Sequence, residues 1–214
     1  MLDFDGVVLE SAAVKGAAFR ALFAEHPQHV DRIAQYHVDN GGLSRYEKFH
    51  WIYRELLRRP LTEDEMGVLD RRFEALIADA MRACPFVPGA RAFIAARAAS
   101  APLFVASGAP ERELRAIVRA RGLHAFFSGV YGSPRNKTEL LRAIAAEADV
   151  APADMLFVGD GRQDWEAAQA LGVPFVARVA PGDADRFGPG PLAVVQDLAE
   201  LAARWPLPAP DPHR

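Results

Sequence analysis

Met155-Leu156-Phe157-Val158-Gly159-Asp160-Gly161 is an uninterrupted apolar run that stops at an acid flanked by glycines. A short continuous apolar run bounded by turn residues fits a strand buried on both faces, as in a parallel sheet covered by helices. The same design repeats to either side. Leu103-Phe104-Val105-Ala106 leads into Ser107-Gly108 and a helical stretch from Glu111 to Arg121 closed by Gly122. Gly129-Val130-Tyr131 leads into a helix from Lys137 to Ala148. The helix after Asp164 ends at Leu171-Gly172, and the strands Phe175-Val176-Ala177 and Ala193-Val194-Val195 follow, the last before a closing helix. This alternation predicts an α/β fold with a Rossmann-like parallel sheet as its core.

The segment from Ser11 to Met81 reads differently, as almost purely helical. Phe49, Ile52, Tyr53 and Leu56 form an i, i+3, i+4, i+7 stripe on a helix opened by Ser44 and Glu47 in capping-box spacing. A second box, Thr62 with Glu65, opens a helix carrying Leu69, Phe73, Leu76, Ile77 and Ala80. Pro85-Phe86-Val87-Pro88-Gly89 then breaks helix and returns the chain to the other layer. The expected division is an α/β core from residues 1–10 and 86–214 with an all-helical cap inserted at 11–85. The tail, Trp205-Pro206-Leu207-Pro208-Ala209-Pro210-Asp211-Pro212, reads as extended.

With 214 residues, 50% of them hydrophobic, the chain can bury a sizeable core. A net charge of -3 argues against a nucleic-acid or acidic-membrane partner and leaves anion binding to a local cluster of bases. No run reaches membrane-spanning length and no signal-like start is visible. The lone Cys84 has no internal partner and reads as a small packing residue, so the expected location is the cytoplasm.

In an open parallel sheet, ligands bind outside the carboxyl ends of the strands. Those positions are strongly polar here. The chain begins with Asp3-Phe4-Asp5-Gly6-Val7-Val8, in which alternate side chains put Asp3 and Asp5 on one face and Gly6 permits a sharp turn. Ser107-Gly108 follows the next strand, then Arg135, Asn136 and Lys137, then Gly159-Asp160-Gly161 with Asp164. Two repelling acids are tolerated beside a cation, or where one holds a proton.

Together these segments resemble the four motifs of the haloacid dehalogenase superfamily of aspartate-nucleophile phosphohydrolases: Asp3 to Val7, Val105 to Gly108, Lys137, and Val158 to Asp164. The helical insertion directly after the first motif is similar to the cap of the phosphoglycolate phosphatase and beta-phosphoglucomutase branch. The resemblance implies a magnesium-dependent phosphatase acting on a small phosphorylated metabolite, such as a sugar phosphate. Asp3 fits the nucleophile that forms an aspartyl-phosphate. Asp5 fits the acid that protonates the leaving alkoxide and then accepts a proton from water, which asks for a raised pKa in the first step. The resemblance assigns Mg2+ to the Asp3 carboxylate, the Asp5 backbone carbonyl and Asp160, with Asp164 as a further ligand or a water-mediated one. Phosphate oxygens fall to Ser107, Lys137 and the backbone around Gly108, at an expected helix start. A phosphosugar mutase would use the same residues, and a non-catalytic binding module would have no need of all these acids.

Substrate choice is expected to lie in the cap. Gly41-Gly42 allows close approach, and Arg45 and Lys48 share one face of a helix's first turn, where cations oppose the helix dipole. They point either to a second anionic or polyhydroxyl part of the substrate or simply to water. Lys15 could also reach the cleft. His26, His29, His37, His50, His124 and His213 show no metal-ligand spacing, Trp51 and Trp165 read as packing, and Arg162 reads as an ion-pair partner for the last motif's acids. Only Met1 and Leu2 precede the nucleophile, so either the native chain starts upstream or its first strand is unusually short.

Overall fold

Strand pairing places the acids at the centre of one parallel sheet. The computed structural model describes residues 1–183, 187–188 and 190–205; the proline-rich segment from Pro206 onward, with His213, lies outside the described residues. The strands are β1 (Phe104–Pro110), β2 (Gly129–Ser133), β3 (Phe157–Gly159), β4 (Phe175–Arg178) and β5 (Ala193–Val195). β1 pairs with β2, β3 with β4 and β4 with β5, all in parallel. Leu2 joins the two groups by bridging Val105 and Val158. Its N–H donates to Phe104 O at 2.9 Å, and the N–H of Asp3 donates to Val158 O at 2.8 Å. The expected first strand is thus reduced to ladder pairing around one residue, which suffices to set Asp3 between the ends of β1 and β3.

The helices are α1 (Ala12–Leu22), α2 (Val30–Asp39), α3 (Arg45–Trp51), α4 (Glu63–Ala83), α5 (Ala90–Ala98), α6 (Glu111–Ala120), α7 (Lys137–Ala148), α8 (Arg162–Leu171) and α9 (Leu198–Arg204). Period-two alternation sorts the sheet's side chains. Phe104, Ala106, Phe157, Phe175 and Ala177 pack against Leu140, Leu141 and Ile144 of α7 and Ala167 and Ala168 of α8. Val105, Val158, Val176 and Val195 face the opposite layer, with Phe93 and Ile94 of α5, Leu114 and Val118 of α6, and Leu198 and Leu201 of α9. Both faces are covered, as continuous apolar strands require.

The first four helices all precede Pro85 and pack on one another. Both capping boxes are present: the N–H of Glu47 donates to Ser44 Oγ at 3.2 Å and that of Glu65 to Thr62 Oγ1 at 3.3 Å, with each glutamate accepting in return from the cap residue's N–H. The stripe Phe49, Ile52, Tyr53 and Leu56 is buried throughout, although α3 widens into a π turn over Ile52–Leu56. Phe19, Phe23, Phe49 and Phe73 join α1, α3 and α4, with ring centroids 4.8 Å apart for Phe19–Phe73 and 6.1 Å for Phe49–Phe73. Leu76 and Ala80 depart from expectation and are exposed, because the buried stripe of α4 runs Leu69, Phe73, Ile77, Met81 and both fall beside it. No helix among the described residues is long and apolar enough to cross a membrane.

Phe49 is fully buried where three helices meet. Phe49→Ala should cost about 3–5 kcal/mol of stability, read as a fall in the urea midpoint with an unchanged m-value. A loss below about 1 kcal/mol would show that this ring cluster does not carry the insertion.

Candidate active site

The acids and the lysine converge at the carboxyl ends of the strands. Lys137 is the first residue of α7, held there by Asn136, whose side-chain oxygen accepts the N–H of Glu139 at 3.0 Å. Its ammonium lies 2.9 Å from Asp3 Oδ2 and 2.6 Å from Asp164 Oδ1, and donates to Ala106 O at 2.9 Å. The ammonium is thus ion-paired with two carboxylates and gives one hydrogen bond to a backbone carbonyl. Asp3 also accepts from the N–H of Phe4 at 2.6 Å, and Asp164 from that of Gly161 at 3.0 Å.

Asp160 completes the group: Asp3, Asp160 and Asp164 each offer an oxygen within 4.8 Å of the others. Three carboxylates against one ammonium leave a surplus of negative charge, and an all-oxygen donor set suits a hard divalent cation. Without one, the crowding shows in the acidities. Desolvation, then repulsion from Asp164, pushes Asp160 up to about 7. Desolvation raises Asp3 well above the usual carboxylate range, against the pull of Lys137. The turn behind the first motif tolerates only glycine at its apex: Gly6 has φ +69°, and a Cβ there would lie 2.0 Å from Asp160 Oδ2.

Asp5 stands apart from this cluster. Its carboxylate is ion-paired with Lys15 and accepts from Ser11 Oγ at 2.6 Å. Desolvation alone would raise its pKa, but the Lys15 charge and hydrogen bond outweigh it and hold Asp5 below its ordinary value. The expected raised pKa of Asp5 is therefore not what this site shows. Ser107 is buried beside Asp3, its Oγ accepting from the N–H of Ala109 at 3.2 Å. Gly108 is not at a helix start as expected. β1 continues, with a register shift, to Pro110, and α6 begins only at Glu111.

The loop before α3 closes over these groups. Gly42 packs on both motif glycines: a Cβ on Gly108 would lie 2.8 Å from Gly42 O, and one on Gly161 2.8 Å from Gly42 N. Gln163 Nε2 donates to Asn40 Oδ1 at 3.1 Å across the same seam. Arg45 and Lys48 are both buried and face the cleft rather than water. Arg45 is ion-paired with Glu113 of α6 and lies 3.4 Å from Asp70 of α4, so it ties insertion to core. Lys48 Nζ lies 3.0 Å from His37 Nδ1. A cavity of about 40 Å³ remains between these side chains and Asp3, Asp5 and Ser107.

Sequence reading passed over three participants. Arg178, at the end of β4, donates to Gly6 O at 3.1 Å and to both oxygens of Glu10, fixing the loop that follows the acids. The strand-end rule that found the other groups could have found it too. Ser11 and His37 carry no such signal, since their roles come from tertiary contacts. Arg162 departs from expectation: it pairs at 2.9 Å with exposed Glu166 one helical turn on, because α8 turns its side chain outward. Trp51 stacks on Tyr36 at 3.6 Å and Trp165 packs on Phe175 at 5.5 Å, both as expected. Cys84 is buried and unpaired.

A family model described as haloacid dehalogenase-like hydrolase matches residues 1–172. A phosphoglycolate phosphatase from Synechococcus elongatus is 27% identical over 98% of this chain and 92% of its own length. Among solved structures, a mutant of CbbY from Rhodobacter sphaeroides in complex with xylulose-1,5-bisphosphate superposes with a TM-score of 0.74 at 20% identity, covering 94% of each chain. The putative hydrolase YfnB from Bacillus subtilis, bound to magnesium, gives 0.69 at 18% identity over 95% of this chain and 96% of that one.

A cation entering the cluster must displace the proton that Asp160 holds up to about pH 7. Divalent-cation affinity should therefore be higher at pH 8 than at pH 6, with protons released on binding. Calorimetric titration in buffers of different ionisation enthalpy measures both, and pH-independent affinity without proton release would contradict this electrostatic picture.

Proposed function

We propose, from the premise that the chain belongs to the haloacid dehalogenase-like hydrolase family, that this phosphatase cleaves a small phosphomonoester through an aspartyl-phosphate on Asp3. The observation that carries the reading is the Lys137 ammonium shared between Asp3 and Asp164, with Asp160 alongside. Residues 1–10 and 86–214 serve as the catalytic core and 11–85 as the cap.

Asp3 attacks phosphorus in line, and the bond to the substrate's alkoxide breaks. Lys137 and Ser107 hold the phosphoryl oxygens as charge shifts onto the leaving group. Asp5 gives its proton to that alkoxide, then takes one from the water that attacks phosphorus and frees Asp3 with inorganic phosphate. To carry the proton, Asp5 must first part from Lys15, which keeps it ionised in the free site. Asp3, the Asp5 backbone carbonyl, Asp160 and Asp164 would hold a magnesium ion, which would supply charge compensation for the phosphoryl group. Closure of the Gly42 loop on Gly108 and Gly161 excludes bulk water. Arg45 and Lys48 face the part of the substrate that is not phosphate.

The named activity of the Synechococcus relative makes phosphoglycolate the first substrate to test. Purified enzyme with magnesium should release inorganic phosphate from phosphoglycolate or from an aryl phosphate. Asp3→Asn should lower kcat by at least about 10³-fold while leaving the thermal midpoint within a few degrees. Unchanged turnover in that variant would sink the mechanism, and return of an isomerised phosphosugar without free phosphate would turn the reading to a mutase.

A further inference from the structure

Three cations of the insertion line the closed cavity, and their charges are not equally committed. Lys15 is paired with Asp5, and Arg45 lies between Glu113 and Asp70, so each is already answered by a carboxylate. Lys48 has no carboxylate partner among the described residues. It is 2% exposed, and its amine lies 3.0 Å from a neutral acceptor, Nδ1 of His37, and 5.8 Å over the Phe19 ring.

His37 is fixed in turn. Its ring packs on Phe19 at 4.8 Å between centroids, and the backbone of Ala12 accepts a hydrogen bond from it, which leaves Nδ1 free to accept from Lys48. Desolvation, with the nearby Lys48 and Lys15 charges, holds the ring neutral, its pKa lowered to about 3. A buried ammonium without a counter-ion is unfavourable unless an anion arrives beside it. Burial and the Lys15 charge lower Lys48 itself to about 7, which reports the same unmet demand.

We propose that Lys48 reads a carboxylate on the substrate, and that His37 is the positioning residue that holds the Lys48 amine in the cavity for this purpose. This rests on the phosphatase reading above and narrows it. The cavity is about 40 Å³ and walled by Phe19 and Phe73, room for only a few water molecules, and it must also admit the phosphoryl group. A second group admitted here must be short, which suits a carboxylate on a short stem and not a sugar ring. Arg45, committed to Glu113 across the seam, holds the insertion closed instead of competing for that anion.

The test compares kcat/KM for phosphoglycolate with that for 2-hydroxyethyl phosphate, which replaces the carboxylate by a neutral group of similar size. Wild-type enzyme should prefer phosphoglycolate. Lys48→Met should reduce the preference at least about tenfold, with the loss falling mainly on KM. His37→Phe should do nearly the same, the double variant should lose no more than Lys48→Met alone, and His37→Gln, whose amide oxygen can accept from the amine, should recover part of the preference. Circular dichroism establishes that each variant is folded. Absence of preference in wild type, equal loss on both substrates in Lys48→Met, or additive effects of the two positions would overturn the proposal while leaving the phosphatase in place. Absence of Asp3-dependent phosphate release from either compound and from an aryl phosphate would overturn the phosphatase reading itself.

Discussion

The ammonium of Lys137 lies between the carboxylates of Asp3 and Asp164 in a site from which water is largely removed, and the arrangement of the rest follows from that contact. Removing the lysine would leave buried carboxylates without compensation, which is far costlier than the cluster itself. The lysine must therefore arrive at a fixed point, and it does so because it opens α7 under a capping box and donates to Ala106 O of β1. Asp3 in turn is placed by Leu2, whose bridges to Val105 and Val158 make the sheet continuous. Sheet topology and site electrostatics are one constraint: if β1 and β3 did not flank Leu2, the charges would not meet.

The second constraint is steric. Core and insertion approach so closely that glycine faces glycine at the seam, with Gly42 between Gly108 and Gly161. Around this contact sit the ion pair from Arg45 to Glu113 and the hydrogen bond from Gln163 to Asn40. Backbone and polar contacts thus line the seam above the acids.

Much of this was legible in the sequence, and the residues show why. Strands rich in β-branched and aromatic residues, helices opened by Ser44, Thr62 and Asn136, and polar groups directly after each apolar run are local signals, and they survive folding because packing reinforces them. The strand-end rule brought Asp3, Ser107, Lys137, Asp160 and Asp164 to one place. What escaped depends on distant partners. The lowered pKa of Asp5 comes from Lys15, ten residues along on a helix whose angle no periodicity reveals. The commitment of Arg45 to Glu113 crosses 68 residues of chain, and His37 looked inert because its partner is an amine and not a metal. Leu76 failed for a simpler reason: it is apolar, but it lies off the stripe that the insertion buries.

The central claim is that Asp3 becomes phosphorylated. Borohydride reduces an acyl phosphate on aspartate to homoserine, a change that peptide mass spectrometry locates by residue. Enzyme quenched during turnover of phosphoglycolate and reduced in this way should carry the conversion at Asp3 alone, and enzyme treated without substrate should carry none. Conversion at another carboxylate, or full turnover with no conversion at any, would contradict the account.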